Sequence, residues 1–426
     1  MAVSGDRVKL QTESDFFEGI LMPEEKQFVV LKLDTGYNIS VSKDKIKQVQ
    51  LLKKHSPVKV EIPKASQDSS KPKITILHTG GTIASKVDYE TGGVIAKFSP
   101  EELLGMFPEL KDIAQISSRL VSNMFSEDMR FAHYNILARE CEKELNAGVH
   151  GIIITHGTDT LHYSSAALAF ALGELPVPVI LVGAQRSSDR GSSDAGANII
   201  AAAAFIAKSD FAEVGVCMHA GIDDEWCVIL PAAKCRKMHS SRRDAFAAIN
   251  TLPWARVHLK ERKIEWMRTD YRKRTARKSS IRLFKEGLKI ALIKTHTNMY
   301  AEQFLFYKGW DGLLVEGFGI AGNVPINEID KPTAEHKKIA DAIKSLTSKG
   351  TIMAAATQTI AGRINMNVYS TGRMMQELGI IGHLTDMTAE TGFIKLAWLL
   401  SNFPKNKIKE LYEQNIVGEI SERHEV

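Results

Sequence analysis

From Lys73 onward, short uninterrupted apolar runs alternate with longer stretches in which apolar residues recur at helical spacing. An apolar run with no polar alternation indicates a strand that is buried on both faces, which is typical of a parallel sheet covered by helices. The pattern predicts an α/β fold with a mostly parallel sheet. The predicted strands are 74–77, 151–154, 177–182 and 214–216, and the predicted helices between them are 130–147 and 163–172.

The same alternation resumes near residue 290, which predicts a second α/β unit. Its predicted strands are 290–294, 312–315 and 352–356, and its predicted helices are 334–348 and 392–401. Residues 5–52 differ, because they contain several short strand-like runs and the turn Asp34-Thr35-Gly36, which favours a small β-barrel. We therefore expect a barrel over 1–52, a linker over 53–72, a catalytic domain over 73–280 and a C-terminal domain over 281–426.

Composition and short sequence features limit the classes of protein to which this chain can belong. The most apolar windows are shorter than the roughly 18–20 residues of a membrane-spanning helix, so no membrane contact is expected. The chain starts without a basic region followed by an apolar stretch, which favours the cytoplasm. A net charge of +5 permits an acidic partner such as RNA but does not establish one. The sequence contains neither a P-loop nor a clustered histidine motif, and we expect no metal or cofactor in this chain.

The first candidate for chemistry is the turn His78-Thr79-Gly80-Gly81-Thr82, which follows the first apolar strand. Adjacent glycines allow positive φ and leave backbone N–H groups uncovered beside a hydroxyl. The alternative is a tight turn with incidental threonines.

The second candidate is Thr155-His156-Gly157-Thr158-Asp159-Thr160, which follows another strand and precedes a helix. Ligands of open α/β sheets bind at the carboxyl ends of strands, so both turns are expected at one crevice. Helix capping by Thr158 or Asp159 is the alternative.

A threonine hydroxyl needs a base before it acts as a nucleophile. The segment from Lys234 to Asp244 follows an apolar strand and contains two lysines and three arginines. A lysine acts as a base where desolvation or a neighbouring cation lowers its pKa. A solvated loop and a phosphate-contacting patch are equally compatible with this composition.

Together these motifs resemble the bacterial-type L-asparaginase family. The resemblance extends from about Lys73 to the C-terminus and, through the N-terminal barrel, is greatest to the branch formed by the ammonia-releasing subunits of archaeal tRNA-dependent amidotransferases. The residues that carry it are Thr79-Gly80-Gly81-Thr82-Ile83-Ala84, Thr155-His156-Gly157-Thr158-Asp159-Thr160, Val182-Gly183-Ala184-Gln185-Arg186, Ser126-Glu127-Asp128-Met129 and the basic segment that ends at Asp244-Ala245-Phe246.

The resemblance implies catalytic roles. Thr82 would be the nucleophile that attacks a side-chain amide. Thr158, Asp159 and Lys237 would form a second polar triad, in which Lys237 prepares the Thr158 hydroxyl for proton transfer. Lys237 is assigned by counting back from the end of the basic segment, and Lys234 is the alternative.

The resemblance also implies substrate contacts. Tyr89 would belong to a lid, Ser126 would hold the substrate α-carboxylate, and Asp159 would engage the α-amino group. Glu127 stands where many free asparaginases have glutamine. The backbone around Ala184 would stabilise the oxyanion.

The implied function is a glutaminase subunit that converts Glu-tRNA(Gln) to Gln-tRNA(Gln) together with a partner. ATP and Mg would be used by that partner, which would also hold most of the tRNA. We expect a homodimer joined by two partner subunits, with glutamine or asparagine as the amide donor. A free cytosolic L-asparaginase is the alternative, and an RNA-binding module with a vestigial site is a third.

Two further segments leave interpretations open. The basic stretch 268–282 is compatible with RNA or partner contact and equally with a solvated linker. The sequence Gly317-Phe318-Gly319-Ile320-Ala321-Gly322 matches a dinucleotide-binding pattern, but Asn323-Val324-Pro325 is a poor helix start. We expect these glycines instead to let the C-terminal unit approach a neighbouring active site.

Overall fold

The structure is a computed structural model that describes residues 2–23, 26–55, 68–80, 85–87, 94–96, 99–186 and 192–423. These residues form sheets of five, eight and four strands and two two-stranded ribbons. The strands are β1 (Arg7–Gln11), β2 (Phe16–Leu21), β3 (Phe28–Lys32), β4 (Asn38–Ser42), β5 (Gln48–Lys53), β6 (Lys73–His78), β7 (Ser85–Val87), β8 (Val94–Ala96), β9 (Gln115–Leu120), β10 (Gly151–Thr155), β11 (Val179–Val182), β12 (Val214–His219), β13 (Trp226–Pro231), β14 (Cys235–Lys237), β15 (Phe246–Ala248), β16 (Ala255–His258), β17 (Ile264–Trp266), β18 (Ile290–Lys294), β19 (Gly312–Gly317), β20 (Ile352–Thr357) and β21 (Ile380–Ile381). The helices are α1 (Pro100–Met106), α2 (Leu110–Ile113), α3 (Phe131–Asn146), α4 (Leu161–Leu172), α5 (Ala195–Lys208), α6 (Glu302–Leu305), α7 (Ala334–Ser348), α8 (Ser370–Glu377), α9 (Ala389–Asn402) and α10 (Lys405–Tyr412).

The N-terminal residues form the five-stranded antiparallel sheet, in the order β4-β3-β2-β1-β5. Side-chain burial alternates along β1, because Val8 and Leu10 are buried in a small core while Arg7 and Lys9 are more exposed. The apolar residues of β1 to β4 produce the short strand-like runs noted in the sequence of residues 5–52. Strand β5 is exposed at every position, so it carries no apolar alternation by which it could be predicted.

The central sheet has the order β17-β16-β13-β12-β11-β10-β6-β9. Strands β9, β6, β10, β11 and β12 are mutually parallel, which confirms the fold class expected from the apolar runs. Successive side chains enter different cores: Ile152 and Ile154 contribute to one apolar cluster and Ile153 to the other. Burial on both faces explains why β10 and β11 consist almost entirely of apolar residues.

The second α/β unit is also confirmed, with four parallel strands in the order β18-β19-β20-β21. Helix α9 connects the two sheets. Eleven of its fourteen residues are buried, and Leu396 and Trp398 belong to the same apolar cluster as Phe170 of α4. A helix that is apolar almost all round has to be enclosed, and α9 is enclosed by both units. Within the described part of the chain, no helix combines the length and apolarity needed to cross a membrane.

Much of the basic stretch 268–282 is exposed to solvent, but several of its basic side chains are paired within the chain. The Arg274 guanidinium donates hydrogen bonds to three backbone carbonyls, those of His150, Ile206 and Ser209. Four neighbouring basic residues pair with acids of the same chain: Arg268 with Asp270, Arg272 with Glu213, Lys273 with Asp210, and Arg277 with Glu174. These contacts attach the segment that connects the two α/β units to the catalytic unit. We call residues 268–282 the basic strap.

The glycine motif at Gly317 forms a tight loop. Phe318 and Asn323 exchange backbone hydrogen bonds of 2.9 and 2.8 Å, and Gly319–Ala321 makes a single 3-10 turn. A Cβ on Gly317 would lie 2.0 Å from the Gly322 carbonyl oxygen, so glycine is required by the close approach of two backbone segments.

Buried ion pairs connect the C-terminal tail to the core. Lys395 of α9 lies 2.6 Å from Glu419, and both side chains are fully buried. Glu419 also accepts hydrogen bonds from the backbone N–H groups of Ile416 and Val417. One carboxylate therefore fixes both a helix and the turn of the tail.

We predict that Lys395→Met lowers the free energy of unfolding by about 3–5 kcal/mol, because the Glu419 charge is left buried without its partner. The double variant Lys395→Met/Glu419→Gln should regain part of that loss. Urea denaturation measures both. Lys407→Met, which breaks the exposed pair with Glu410, is the control and should change stability by less than about 1 kcal/mol. Equal losses for the buried and exposed pairs would contradict this prediction.

Candidate active site

The carboxyl ends of four adjacent parallel strands, β9, β6, β10 and β11, meet at one edge of the central sheet. Backbone hydrogen bonds join the segments that leave them. The Thr79 N–H donates to the Thr155 carbonyl at 3.1 Å, the Met124 N–H donates to the Thr79 carbonyl at 3.1 Å, and the His156 N–H donates to the Val182 carbonyl at 2.9 Å. The two hydroxyl turns predicted from the sequence therefore emerge side by side.

Three glycines allow these segments to approach one another without intervening side chains. A Cβ on Gly80 would lie 2.5 Å from the Met124 carbonyl oxygen, and one on Gly157 would lie 2.8 Å from the Ser126 Cβ. A Cβ on Gly183 would lie 2.7 Å from the Thr158 Cγ2. Ser126, Thr158 and the loop around Ala184 are consequently in direct contact with the turns at the sheet edge.

Thr158, Asp159 and Lys237 come together. The Lys237 Nζ donates to the Thr158 Oγ1 at 2.9 Å and to the Asp159 Oδ1 at 2.7 Å. The Lys237 side chain is 10% exposed and the Asp159 side chain 66% exposed. The carboxylate thus reaches solvent while the ammonium is largely shielded. The residue at the N-terminal cap of α4 is Thr160, so Thr158 and Asp159 face Lys237 rather than serving as helix caps.

The lysine that touches Thr158 is set by the hairpin formed by β14 and β15. Lys237 pairs with Phe246 at the loop end of this hairpin, and the Met238 N–H donates to the Ala245 carbonyl at 2.6 Å. Lys234 precedes the hairpin and turns the other way, where its Nζ lies 2.7 Å from the Asp386 Oδ2. Of the two lysines that the sequence left open, the one in contact with the hydroxyl turn is Lys237.

The predicted substrate contacts occupy different surroundings. Ser126 is buried and its carbonyl accepts a 2.6 Å hydrogen bond from the Thr160 hydroxyl. Glu127 is exposed beside it, and Ala184 is buried. Thr82 and Tyr89 lie outside the described residues. The assignment of all eight predicted residues to catalysis or binding stays a prediction.

Sequence reasoning did not find Glu390, which reaches the site from the C-terminal unit. Its Oε1 lies 2.9 Å from the Arg236 Nη2, and Arg236 is the residue before Lys237. His162 lies on the other side, 3.9 Å from the same oxygen. Burial lowers the pKa of His162 to about 4, although Glu390 opposes that shift. The sequence did offer one indication of this residue, because Glu390 is an acidic residue within the mostly apolar helix α9.

Two buried histidines brace the turns in their neutral form. His78 contacts the hydroxyls of Thr155 at 2.7 Å and Ser118 at 2.9 Å. His156 contacts the Gly157 carbonyl at 2.6 Å and the Ser164 hydroxyl at 2.8 Å. Burial lowers the pKa of His78 to about 3 and that of His156 to about 4. Among the residues that the structure describes, no three potential metal ligands cluster.

The fold and the site define an asparaginase-like amidohydrolase. The family model described as "Asparaginase, N-terminal" matches residues 73–272, and "Glutaminase/Asparaginase C-terminal domain" matches residues 289–412. Residues 2–52 match the "GatD N-terminal domain". The chain belongs to the family of glutamyl-tRNA(Gln) amidotransferase D subunits.

Relatives that are named as the D subunit of glutamyl-tRNA(Gln) amidotransferase match over nearly the full chain. The protein from Pyrococcus furiosus is 43% identical over 95% of this chain and 91% of its own length. The protein from Thermofilum pendens is 40% identical over 99% of this chain and 93% of its own length.

Solved structures of asparaginases are similar in fold. The thermostable L-asparaginase from Thermococcus kodakarensis superimposes with a TM-score of 0.70 at 27% identity, over 82% of this chain and 99% of that structure. L-asparaginase I from Vibrio cholerae gives a TM-score of 0.69 at 25% identity, over 82% of this chain and 99% of that structure.

We predict that stability decreases as the pH falls from about 7 to 5. The pKa of His78 and of His156 is lower in the folded protein than the ordinary 6.5. The unfolded chain therefore binds more protons in this range, and stability is complete only above about pH 6.5. At pH 5 the loss should be about 2 kcal/mol for each histidine. Urea denaturation at both pH values measures it. His156→Gln should reduce the pH dependence, whereas the exposed control His296→Gln should keep it unchanged.

Proposed function

We propose that this chain is the glutamine-hydrolysing subunit of a tRNA-dependent amidotransferase that converts Glu-tRNA(Gln) to Gln-tRNA(Gln). The observation that supports it most is the Lys237 ammonium within hydrogen-bond distance of both Thr158 and Asp159, at the carboxyl edge of the sheet. The N-terminal domain type that the chain shares with the D-subunit family supports the tRNA-dependent role over simple amide hydrolysis.

In the proposed reaction, the Thr82 hydroxyl attacks the side-chain amide carbon of glutamine. Its proton passes to the leaving nitrogen through the group formed by Thr158 and Lys237, so that ammonia departs and an ester to Thr82 remains. Water then hydrolyses the ester, releasing glutamate and restoring the hydroxyl. The backbone N–H groups of the turn at Gly81-Thr82 and the backbone around Ala184 stabilise the oxyanion in both steps.

The substrate is held by its α-substituents in this proposal. Ser126 binds the α-carboxylate, and the exposed carboxylates of Asp159 and Glu127 bind the α-ammonium group. Tyr89 closes over the substrate. Asp159 therefore has two roles, since it also holds Lys237 at 2.7 Å.

The ammonia passes to a partner subunit that uses ATP and Mg to activate glutamate on the tRNA. We propose a homodimer of this chain joined by two copies of that partner, which makes most of the tRNA contacts in the cytoplasm. The extensive internal pairing of the basic strap supports a limited role for this chain in holding tRNA. We further propose the division into a unit over 1–52, a linker over 53–72, and units over 73–280 and 281–426.

A free L-asparaginase is the second candidate function. It is favoured by the structural similarity to the two L-asparaginases, which covers 82% of this chain. That similarity leaves the N-terminal sheet without a role, whereas the first candidate accounts for it.

We predict that Lys237→Met lowers kcat for ammonia release from glutamine by about 100-fold or more, because proton transfer at Thr158 loses its partner. Thr82→Ala should abolish release. Lys234→Met is the matched control: it should retain kcat and lose thermal stability, because Asp386 is left buried without its cation. A coupled ammonia assay and a melting curve separate the two lysines. Loss of kcat in Lys234→Met alone would reverse their assignment.

The two candidate functions differ in their response to the partner. We predict that glutamine hydrolysis rises when the ATP-using subunit and Glu-tRNA(Gln) are added, and that Gln-tRNA(Gln) forms. Ammonia release from glutamine and from asparagine should be measured with this chain alone and with the reconstituted complex. Asparagine turnover that is rapid and indifferent to the partner would instead establish the free asparaginase. Native mass spectrometry of the complex measures the stoichiometry.

A further inference from the structure

Asp194 stands at the N-terminal cap of α5, but its carboxylate turns towards the preceding loop. Its Oδ2 accepts the Gln185 N–H at 3.1 Å and its Oδ1 accepts the Arg186 N–H at 3.0 Å. The side chain is fully buried. An aspartate at this position ordinarily accepts hydrogen bonds from the first turn of its own helix. The positive end of the helix still stabilises the charge of Asp194, so the carboxylate can hold the loop at low cost.

Asn198 completes the arrangement one turn further along α5. Its Nδ2 donates to the Gly183 carbonyl at 2.9 Å and to the Asp194 Oδ2 at 3.2 Å. Two side chains at positions i and i+4 of the same helix thereby bind the backbone on both sides of Ala184. Asn198 binds the Gly183 carbonyl, and Asp194 binds the N–H groups of Gln185 and Arg186. We call Asp194 and Asn198 the loop clamp.

The loop clamp acts next to the reacting groups. Gly183 is packed so closely against Thr158 that a Cβ would lie 2.7 Å from the Thr158 Cγ2. A displacement of this loop would therefore move the Ala184 backbone relative to the Thr158 hydroxyl. Catalytic donors require placement to a fraction of an ångström, and a misplacement of about 1 Å costs about 100-fold in rate.

A chain of polar contacts extends from the loop clamp to the lysine hairpin. The Asn198 Oδ1 contacts the His219 Nδ1 at 2.7 Å, and the His219 Nε2 contacts the Asp224 Oδ1 at 3.3 Å. Asp224 pairs with Arg243 at 2.5 Å. Arg243 lies in the hairpin loop between Lys237 and its paired residue Phe246.

We propose that Asp194 and Asn198 are positioning residues that set the Ala184 backbone for oxyanion stabilisation, and that Arg243, Asp224 and His219 couple that loop to the hairpin of Lys237. The inference rests on the proposed function, because it assigns the loop a role in the same amide hydrolysis. It explains why a helix that is otherwise apolar carries two fully buried polar residues at its start. These groups act through the loop and do not touch the substrate.

Asp194→Asn tests the loop clamp, because one of the two acceptor oxygens becomes an amide that cannot accept an N–H. We expect kcat for glutamine to fall about 10- to 100-fold with KM within about twofold, since donors to the transition state are misplaced while ground-state contacts remain. Asp386→Asn is the matched control. Asp386 is equally buried and also accepts from a backbone N–H and from a side chain, Ser421 and Lys234. It should lose stability without the kcat effect.

Amide hydrogen exchange gives a second measurement that does not depend on activity. Exchange in the peptide that contains Gly183 to Arg186 should be faster in Asp194→Asn than in the wild type, and unchanged in Asp386→Asn. If Asp194→Asn does not fold, Arg243→Gln tests the far end of the network. It should lower kcat about 3- to 10-fold, while its neighbour Arg242→Gln, which loses only the pair with Asp244, should stay within about twofold.

The outcomes separate this inference from the proposed function. A wild-type protein without amidase activity would refute the function, and exchange would still decide whether the loop clamp exists. An active wild type with unchanged kcat in Asp194→Asn, or in Arg243→Gln where that variant replaces it, would overturn the positioning role. A raised KM with unchanged kcat would overturn it too, because the loop would then contribute to substrate binding. Reduced kcat with faster exchange, in the variant but not its control, supports it.

Discussion

The contact of the Lys237 ammonium with Thr158 and Asp159 is the interaction on which the site depends. A largely shielded ammonium is stable only with close polar partners, and here a hydroxyl and a carboxylate supply them at 2.9 and 2.7 Å. The two partners lie on the turn after β10, and the lysine lies on the hairpin of β14 and β15. The contact therefore forms only when these two separate elements come together. Because the Asp159 side chain remains 66% exposed, the carboxylate stays accessible to water.

The fold was predictable from the sequence where the burial of an element is visible in the pattern of its own residues. Strands such as β10 and β11 are buried on both faces, so their apolar runs directly indicate a parallel sheet. The positions of the turns followed, because carboxyl ends of parallel strands meet at one edge. The choice between Lys234 and Lys237 did not follow from spacing. It depends on the register of a hairpin and on Asp386, which is 152 residues distant from Lys234.

Long-range polar contacts account for what sequence patterns could not provide. The basic strap has the composition of a solvated segment, yet Arg274 binds carbonyl groups up to 124 residues away. Strand β5 is missed for the opposite reason, because a fully exposed strand has no apolar alternation. Asp194 and Asn198 look like ordinary residues of a helix start, and only the path of the preceding loop gives them a role.

The polar contacts between the two α/β units explain how a site built on one of them depends on the other. Lys234 pairs with Asp386, and Arg236 pairs with Glu390 of α9. Both basic residues lie within three positions of Lys237. Apolar contacts alone would allow the units to slide, since the hydrophobic effect has no direction, whereas ion pairs with short distances fix one arrangement. Buried charges contribute little net stability, so orientation is the better reason for their presence at this boundary. The Lys234–Asp386 pair therefore holds the two units together as a whole, whereas the Arg236–Glu390 pair, one position from Lys237, links the C-terminal unit to the place where the Lys237 ammonium meets the Thr158 hydroxyl.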